Sequence, residues 1–135
     1  MAESCIILAA GKGTRMKSKQ PKVLAKLLFR PMIDWVVESG RNAGARDICV
    51  VVGHGKEDVM KHLEGQCTFA SQDQQLGTGH AIMQCRDFLQ QHPEDTIIIL
   101  YGDTPLITSE TIENLCKKHK ESGAAVTILT GILEN

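Results

Sequence analysis

Cys5-Ile6-Ile7-Leu8-Ala9-Ala10-Gly11-Lys12-Gly13-Thr14-Arg15-Met16 is a short apolar strand that runs straight into a glycine-rich, basic loop. Ala9, Ala10, Gly11 and Gly13 carry little or no side chain, so a ligand can approach the backbone closely. Lys12, Arg15, Lys17, Lys19 and Lys22 place cations over the same stretch. Bare N–H groups beside positive charges suit a polyphosphate. Two commoner phosphate cradles are excluded. Met16 stands where G-x-G-x-x-G requires its third glycine, and Ile6 occupies the first-glycine position of G-x-x-x-x-G-K-[ST].

Working outward, apolar runs at Cys5–Ala10, Ile48–Val52, Thr96–Tyr101 and Ala124–Leu129 read as buried strands. They are near-continuous rather than alternating, as expected where both faces of a parallel sheet are covered. Helical patterns lie between them. Pro31 suits a first helical position, with Met32, Val36, Gly40 and Ala43 on one face before Gly44 ends the helix. A shorter helix from about Lys56 brings Val59 and Leu63 together and stops at Gly65. Thr78 is suited to cap a helix whose stripe is Ala81, Ile82, Cys85, Phe88 and Leu89. Thr108 or Ser109 starts another, with Ile112, Leu115, Cys116 and His119 on one side and Gly123 as terminator. Alternation of strands and helices predicts a doubly wound, mostly parallel α/β sheet.

Composition narrows the function classes. A chain of 135 residues can bury roughly two-thirds of its unfolded surface in one core. A net charge of −1 argues against a broad nucleic-acid surface, so the local Lys and Arg cluster points to a small anionic ligand. The five cysteines form no C-x-x-C pair and read as reduced core fillers of a cytoplasmic protein. There is no signal-peptide pattern, and no apolar stretch long enough to span a bilayer.

In an open α/β sheet, ligands sit beyond the carboxyl ends of strands at a switch in strand order. Gly11 follows the first strand; Asp103 follows the strand ending at Tyr101 in the same way. If these strands are neighbours, the basic loop and the carboxylate face one another. One carboxylate together with substrate phosphates is a common way to hold Mg²⁺. A third element, Gln72-Asp73-Gln74-Gln75-Leu76-Gly77-Thr78-Gly79-His80, combines amides able to read a base edge with glycines and a helix start. The five histidines show no metal-ligand spacing.

The segments Leu8–Met16, Pro21-Lys22-Val23-Leu24, Gln75-Leu76-Gly77-Thr78-Gly79-His80-Ala81 and Tyr101-Gly102-Asp103 together resemble the bacterial N-acetylglucosamine-1-phosphate uridylyltransferases. More broadly, the chain resembles the MobA-like sugar nucleotidyltransferases over essentially its whole length. The resemblance implies the Rossmann-like nucleotide-diphospho-sugar transferase fold. Residues 1–135 would be the N-terminal part of that catalytic domain, incomplete at its C-terminus. Leu8, Ala9, Ala10 and Gly11 would embrace the nucleotide, and Gln72 with the Gly77 backbone would read uracil. Arg15 and Lys22 would neutralise the triphosphate as the catalytic cations, and Asp103 would hold Mg²⁺. Thr78, Tyr101 and Gly102 would line the ribose and sugar-phosphate side. One departure is Leu28-Phe29-Arg30-Pro31-Met32, where the family has Gly-Lys-Pro-Met, so a rebuilt loop remote from the chemistry is expected.

The implied substrates are UTP and N-acetylglucosamine 1-phosphate, with UDP-N-acetylglucosamine, a peptidoglycan precursor, and pyrophosphate as products. No nucleic acid or membrane is expected as a partner. A second metal ligand, an Asn, further sugar contacts and a hexapeptide-repeat domain that makes family members homotrimeric would lie beyond Asn135. Weak or absent turnover by this chain is therefore expected. Two alternatives stand beside this reading: transfer of another nucleotidyl group to another phosphorylated acceptor, and a non-catalytic nucleotide-binding module.

Overall fold

The computed structural model describes residues 3–11 and 21–129. Lys12, Gly13, Thr14, Arg15, Met16, Lys17 and Lys19 of the basic loop lie outside these residues, so the position of Arg15 is not described.

The sheet is built on β1 (Glu3–Leu8), which pairs in parallel with β4 (Ala45–Val52) on one side and β6 (Thr96–Tyr101) on the other. A short edge strand, β5 (Thr68–Ser71), adds to β4, giving the order β5-β4-β1-β6. The chain first works outward from β1 through β4 to β5, then returns to the opposite side of β1 as β6. The switch in strand order therefore falls between β1 and β6. The register sets Leu8 beside both Val51 and Tyr101, so the three strands end at one level.

Alternate residues of these strands feed two separate cores. Cys5, Ile7, Ile48, Val50, Val52, Ile98 and Leu100 point to one face. There they meet α1 (Met32–Asn42) through Ile33, Val36 and Val37, α2 (Lys56–His62) through Val59, and α5 (Ser109–Ser122) through Ile112 and Cys116. Ile6, Cys49 and Val51 point to the other face, against Ala81 of α3 (Thr78–Met83) and Phe88 of α4 (Arg86–Gln91). That second layer covers less of the sheet: Ile99, on the β6 edge, is 42% exposed.

Several expectations need correction. Ala124–Leu129 is not a buried strand: none of these residues is in a strand, and Val126 is 74% exposed. An apolar run becomes a strand only when its N–H and C=O groups find a ladder, and this segment lies along β6 without pairing with it. The single helix expected from Thr78 is two helices, broken at Gln84-Cys85 by i→i+3 bonds from Gln84 N to Ala81 O (3.1 Å) and Cys85 N to Ile82 O (2.9 Å). Pro31 precedes α1 rather than opening it. Thr78 is the first helical residue of α3, following Gly77. Thr108 caps α5, accepting from Thr111 N at 3.2 Å. Sequence reading did not find β5, nor β2 (Lys26–Leu27) and β3 (Arg30–Pro31), which form a hairpin turned by Leu28 and Phe29. Among the described residues no helix is long and apolar enough to cross a membrane.

Candidate active site

A cleft of about 490 Å³ opens where β1, β4 and β6 end. Its floor is the segment that leaves β1, and the backbone shows why that segment stays in place. Ala9 N donates to Val51 O (2.9 Å) on one side, and Gly102 N donates to Leu8 O (2.9 Å) on the other. His54 N reaches Ala10 O at 3.4 Å. The small residues are needed for this stitching as much as for any ligand: Ala9 and Ala10 are buried, while Gly11 is exposed. A Cβ placed on Gly11 would meet no atom of the described residues within 4 Å.

One wall carries charge. Lys22 begins a short 3₁₀ turn (Lys22–Leu24) behind the buried Pro21, and Asp103 lies two residues beyond β6. Lys22 Nζ donates to Asp103 Oδ2 at 3.2 Å, with the two side chains 39% and 38% exposed. At that exposure the pair contributes no more than about 1 kcal/mol, so a polyphosphate arriving with a divalent cation can replace it.

The opposite wall carries the polar reader. Gln72 follows β5, and its N–H donates to Val52 O at 2.7 Å. Its side chain is buried, with Nε2 donating to Gly77 O at 3.2 Å and lying 2.9 Å from His80 Nδ1. Those two bonds fix the amide plane and leave the oxygen in the acceptor role. Gly77, with φ of 100°, turns the chain into α3 so that Thr78 and Ala81 line the cleft.

Of the residues selected from sequence, the cleft brings together Leu8, Ala9, Ala10, Gly11, Lys22, Gln72, Gly77, Thr78, Tyr101 and Asp103. Gly102 is not in the lining. It is buried behind it, where a Cβ would lie 3.0 Å from Val23 and 3.2 Å from Ile33, so its smallness serves packing. Val23, Gln75 and Ala81 line the cleft without having been selected. Gln75 belongs to the same amide-rich loop, which was the available signal; Ala81 reads in sequence as part of a helix's apolar stripe. His80, one of the five histidines without metal-ligand spacing, holds Gln72.

No group of three or more His, Cys, Asp or Glu side chains is placed to cage a metal among the described residues. The donor set is one carboxylate at the mouth of a cleft. That fits Mg²⁺, which retains several waters and takes one or two carboxylates plus substrate phosphates, and does not fit a metal that needs a full protein cage.

A doubly wound sheet with a cleft at its switch point, bordered by a bare backbone loop, a cation and one carboxylate, defines a nucleotide-handling α/β domain. Comparison with known proteins gives the family. Residues 5–131 match the MobA-like NTP transferase domain, and the chain belongs to that family. It is 48% identical over 130 residues to the bifunctional protein GlmU of Thermoanaerobacter pseudethanolicus, and 44% identical over 130 residues to that of Acetivibrio thermocellus. Each alignment covers 96% of this chain but 28% of the relative, so the chain spans little more than a quarter of the length of these proteins. Among solved structures, a UDP-glucose pyrophosphorylase from Acinetobacter baumanii superposes with a TM-score of 0.76 at 20% identity, over 92% of this chain and 54% of that one. A nucleotidyl transferase from Methanothermobacter gives 0.72 at 23%, over 86% and 57%. These two likenesses establish the fold.

Proposed function

We propose that this chain carries the nucleotide-handling part of a cytoplasmic, Mg²⁺-dependent sugar-1-phosphate uridylyltransferase. The reaction moves UMP from UTP to N-acetylglucosamine 1-phosphate and releases pyrophosphate. The observation that carries the reading is the Lys22–Asp103 pair at 3.2 Å, standing across the same cleft from the buried Gln72 amide. Family membership supports nucleotidyl transfer; the choice of uridine and of N-acetylglucosamine rests on the resemblance of the Gln75–Ala81 and Tyr101–Asp103 segments.

The chemistry needs no general base. A phosphate monoester has its second pKa near about 6, so the attacking oxygen is largely ionised at neutral pH. That oxygen forms a bond to the α-phosphorus of UTP, and the bond to the β-phosphate bridging oxygen breaks. The barrier lies in bringing two anions together and in charge growing on the leaving pyrophosphate. Lys22 offsets part of that charge by positioning and electrostatics. Bound at Asp103 and the phosphates, Mg²⁺ would supply Lewis-acid stabilisation of the same charge. The Leu8–Gly11 backbone admits the nucleotide closely, and the Gln72 oxygen accepts the ring N–H of uracil, which cytosine lacks at that position.

The test is pyrophosphate release with UTP, Mg²⁺ and N-acetylglucosamine 1-phosphate, beside calorimetric titration of UTP and CTP. Binding of UTP in preference to CTP is expected, with pyrophosphate release that is slow and depends on all three components. No measurable binding of either nucleotide would refute the reading, and equal binding of both would remove the role of Gln72.

A further inference from the structure

The thinner core holds two thiols that the cleft does not use. Cys49 in β4 and Cys85 in the turn between α3 and α4 have their sulfurs 3.8 Å apart, and both residues are buried. Among the described residues this is the one thiol–thiol contact of hydrogen-bond length. The Cys85 sulfur also lies 3.9 Å from Ala81 O. A disulfide bond is about 2.05 Å long, so closure needs an approach of roughly 1.8 Å. Cys85 lies in a turn rather than inside a helix. It occupies the break between two helices of six residues each, and such helices hold their shape through packing rather than by themselves.

The environments of the thiols differ. The hydrogen bond from Cys85 lowers the Cys49 thiol from its ordinary value, against the opposing effect of burial, and the same contact with burial raises Cys85. Burial pushes Cys5 up to about 12 and Cys67 up to about 11. Within the pair the contact favours ionisation at Cys49 over Cys85.

We propose that Cys49 and Cys85 form a dithiol that hydrogen peroxide converts to a disulfide, pinning the α3–α4 turn to the sheet. The Cys49 thiolate attacks a peroxide oxygen, so an S–O bond forms, the O–O bond breaks and hydroxide leaves, taking up a proton to become water. Cys85 then attacks the sulfur of the Cys49 sulfenic acid. The S–S bond forms, and the departing hydroxide leaves as water with the Cys85 proton. Two thiols are oxidised by two electrons, and one peroxide is reduced to two waters. Because Thr78 and Ala81 of α3 line the cleft, the bond fixes one of its walls.

The experiment treats the whole chain with hydrogen peroxide under native conditions, then maps peptides without reduction. The expected result is a species lighter by two hydrogens, a linked Cys49–Cys85 peptide that dithiothreitol dissolves, and slower amide exchange across residues 78–91. Cys67→Ser retains the link; Cys49→Ala or Cys85→Ala abolishes it. Oxygen addition at Cys67 with no Cys49–Cys85 peptide would overturn the proposal, as would a link formed only in guanidinium. The mapping on unsubstituted protein decides the matter even if a cysteine variant fails to fold.

Discussion

Two glycines near the cleft show how one methyl group separates binding from folding. At Gly11 the added carbon meets no atom of the described residues, so Gly11→Ala should fold with its stability unchanged within about 0.5 kcal/mol. If a nucleotide approaches that backbone, the same methyl weakens UTP binding by roughly tenfold, about 1.4 kcal/mol. Calorimetry beside a urea melt separates the two effects, and undiminished affinity would place the nucleotide elsewhere. At Gly53 the carbon would sit 2.7 Å from Gln72 O and 3.0 Å from Ala10 Cβ, both fixed by backbone bonds. Gly53→Ala should therefore cost roughly 1–3 kcal/mol in the same melt. Asp103 gives the third prediction at this scale. Asp103→Asn keeps the shape and removes the charge, so Mg²⁺-dependent pyrophosphate release should fall below detection while the melt barely moves, the partner Lys22 being well exposed. Normal Mg²⁺ dependence in that variant would rule out Asp103 as the ligand.

Among the elements, the β2–β3 hairpin pays most visibly for its residues. Leu28 and Phe29 have φ of 51° and 70°, the left-handed region that disfavours L side chains, and Phe29 is 95% exposed. The turn survives because its base is held: Trp35 Nε1 donates to Leu27 O at 2.9 Å, and the Arg30 guanidinium lies 4.5 Å from the Trp35 ring while bonding Glu38 at 2.6 Å. Replacing Leu28-Phe29 by Asn-Gly, the pair suited to such a turn, should stabilise the chain by about 1 kcal/mol or more. A shift of the urea midpoint upward checks this; no shift would mean the strain is absent. Legibility in the sequence followed the same physics. Thr96–Tyr101 was readable to the residue because its apolar run is continuous, although among the described strands β6 has β1 alone as a ladder partner. Thr68–Ser71 was not, because a four-residue edge strand needs only one ladder and carries little apolar signal. Ala124–Leu129 had the signal without the ladder. The Gln84-Cys85 break was invisible because the apolar stripe continues through it to Phe88 and Leu89.

Across the whole molecule, the cleft exists because β1 lies between β4 and β6 and its exit segment bonds to both. Convergence of Gly11, Lys22, Gln72 and Asp103 was foreseeable only on the condition that the first and last of these strands were neighbours, which no local pattern states. The basic loop from Lys12 to Lys19 and Arg15 within it lie outside the described residues, so Lys22 is the described cation facing Asp103. That arrangement sets an order for ligands. With Lys22 on Asp103 Oδ2, Mg²⁺ alone must displace an ammonium from its sole carboxylate, whereas UTP offers Lys22 phosphate oxygens in exchange and brings ligands for the metal. Mg²⁺ by itself should therefore shift the melting temperature by less than about 1 °C, because so weak a site adds little by mass action. UTP with Mg²⁺ at a hundredfold excess over Kd should add about 2.7 kcal/mol, or roughly ten degrees for a chain of this size. Lys22→Gln reverses the pattern: the freed carboxylate gains a response to Mg²⁺ alone, while the response to UTP with Mg²⁺ shrinks for want of the cation. Differential scanning fluorimetry on both proteins measures all four conditions. Equal shifts with Mg²⁺ alone and with UTP plus Mg²⁺ in the unsubstituted chain would show that Lys22 does not guard the metal position.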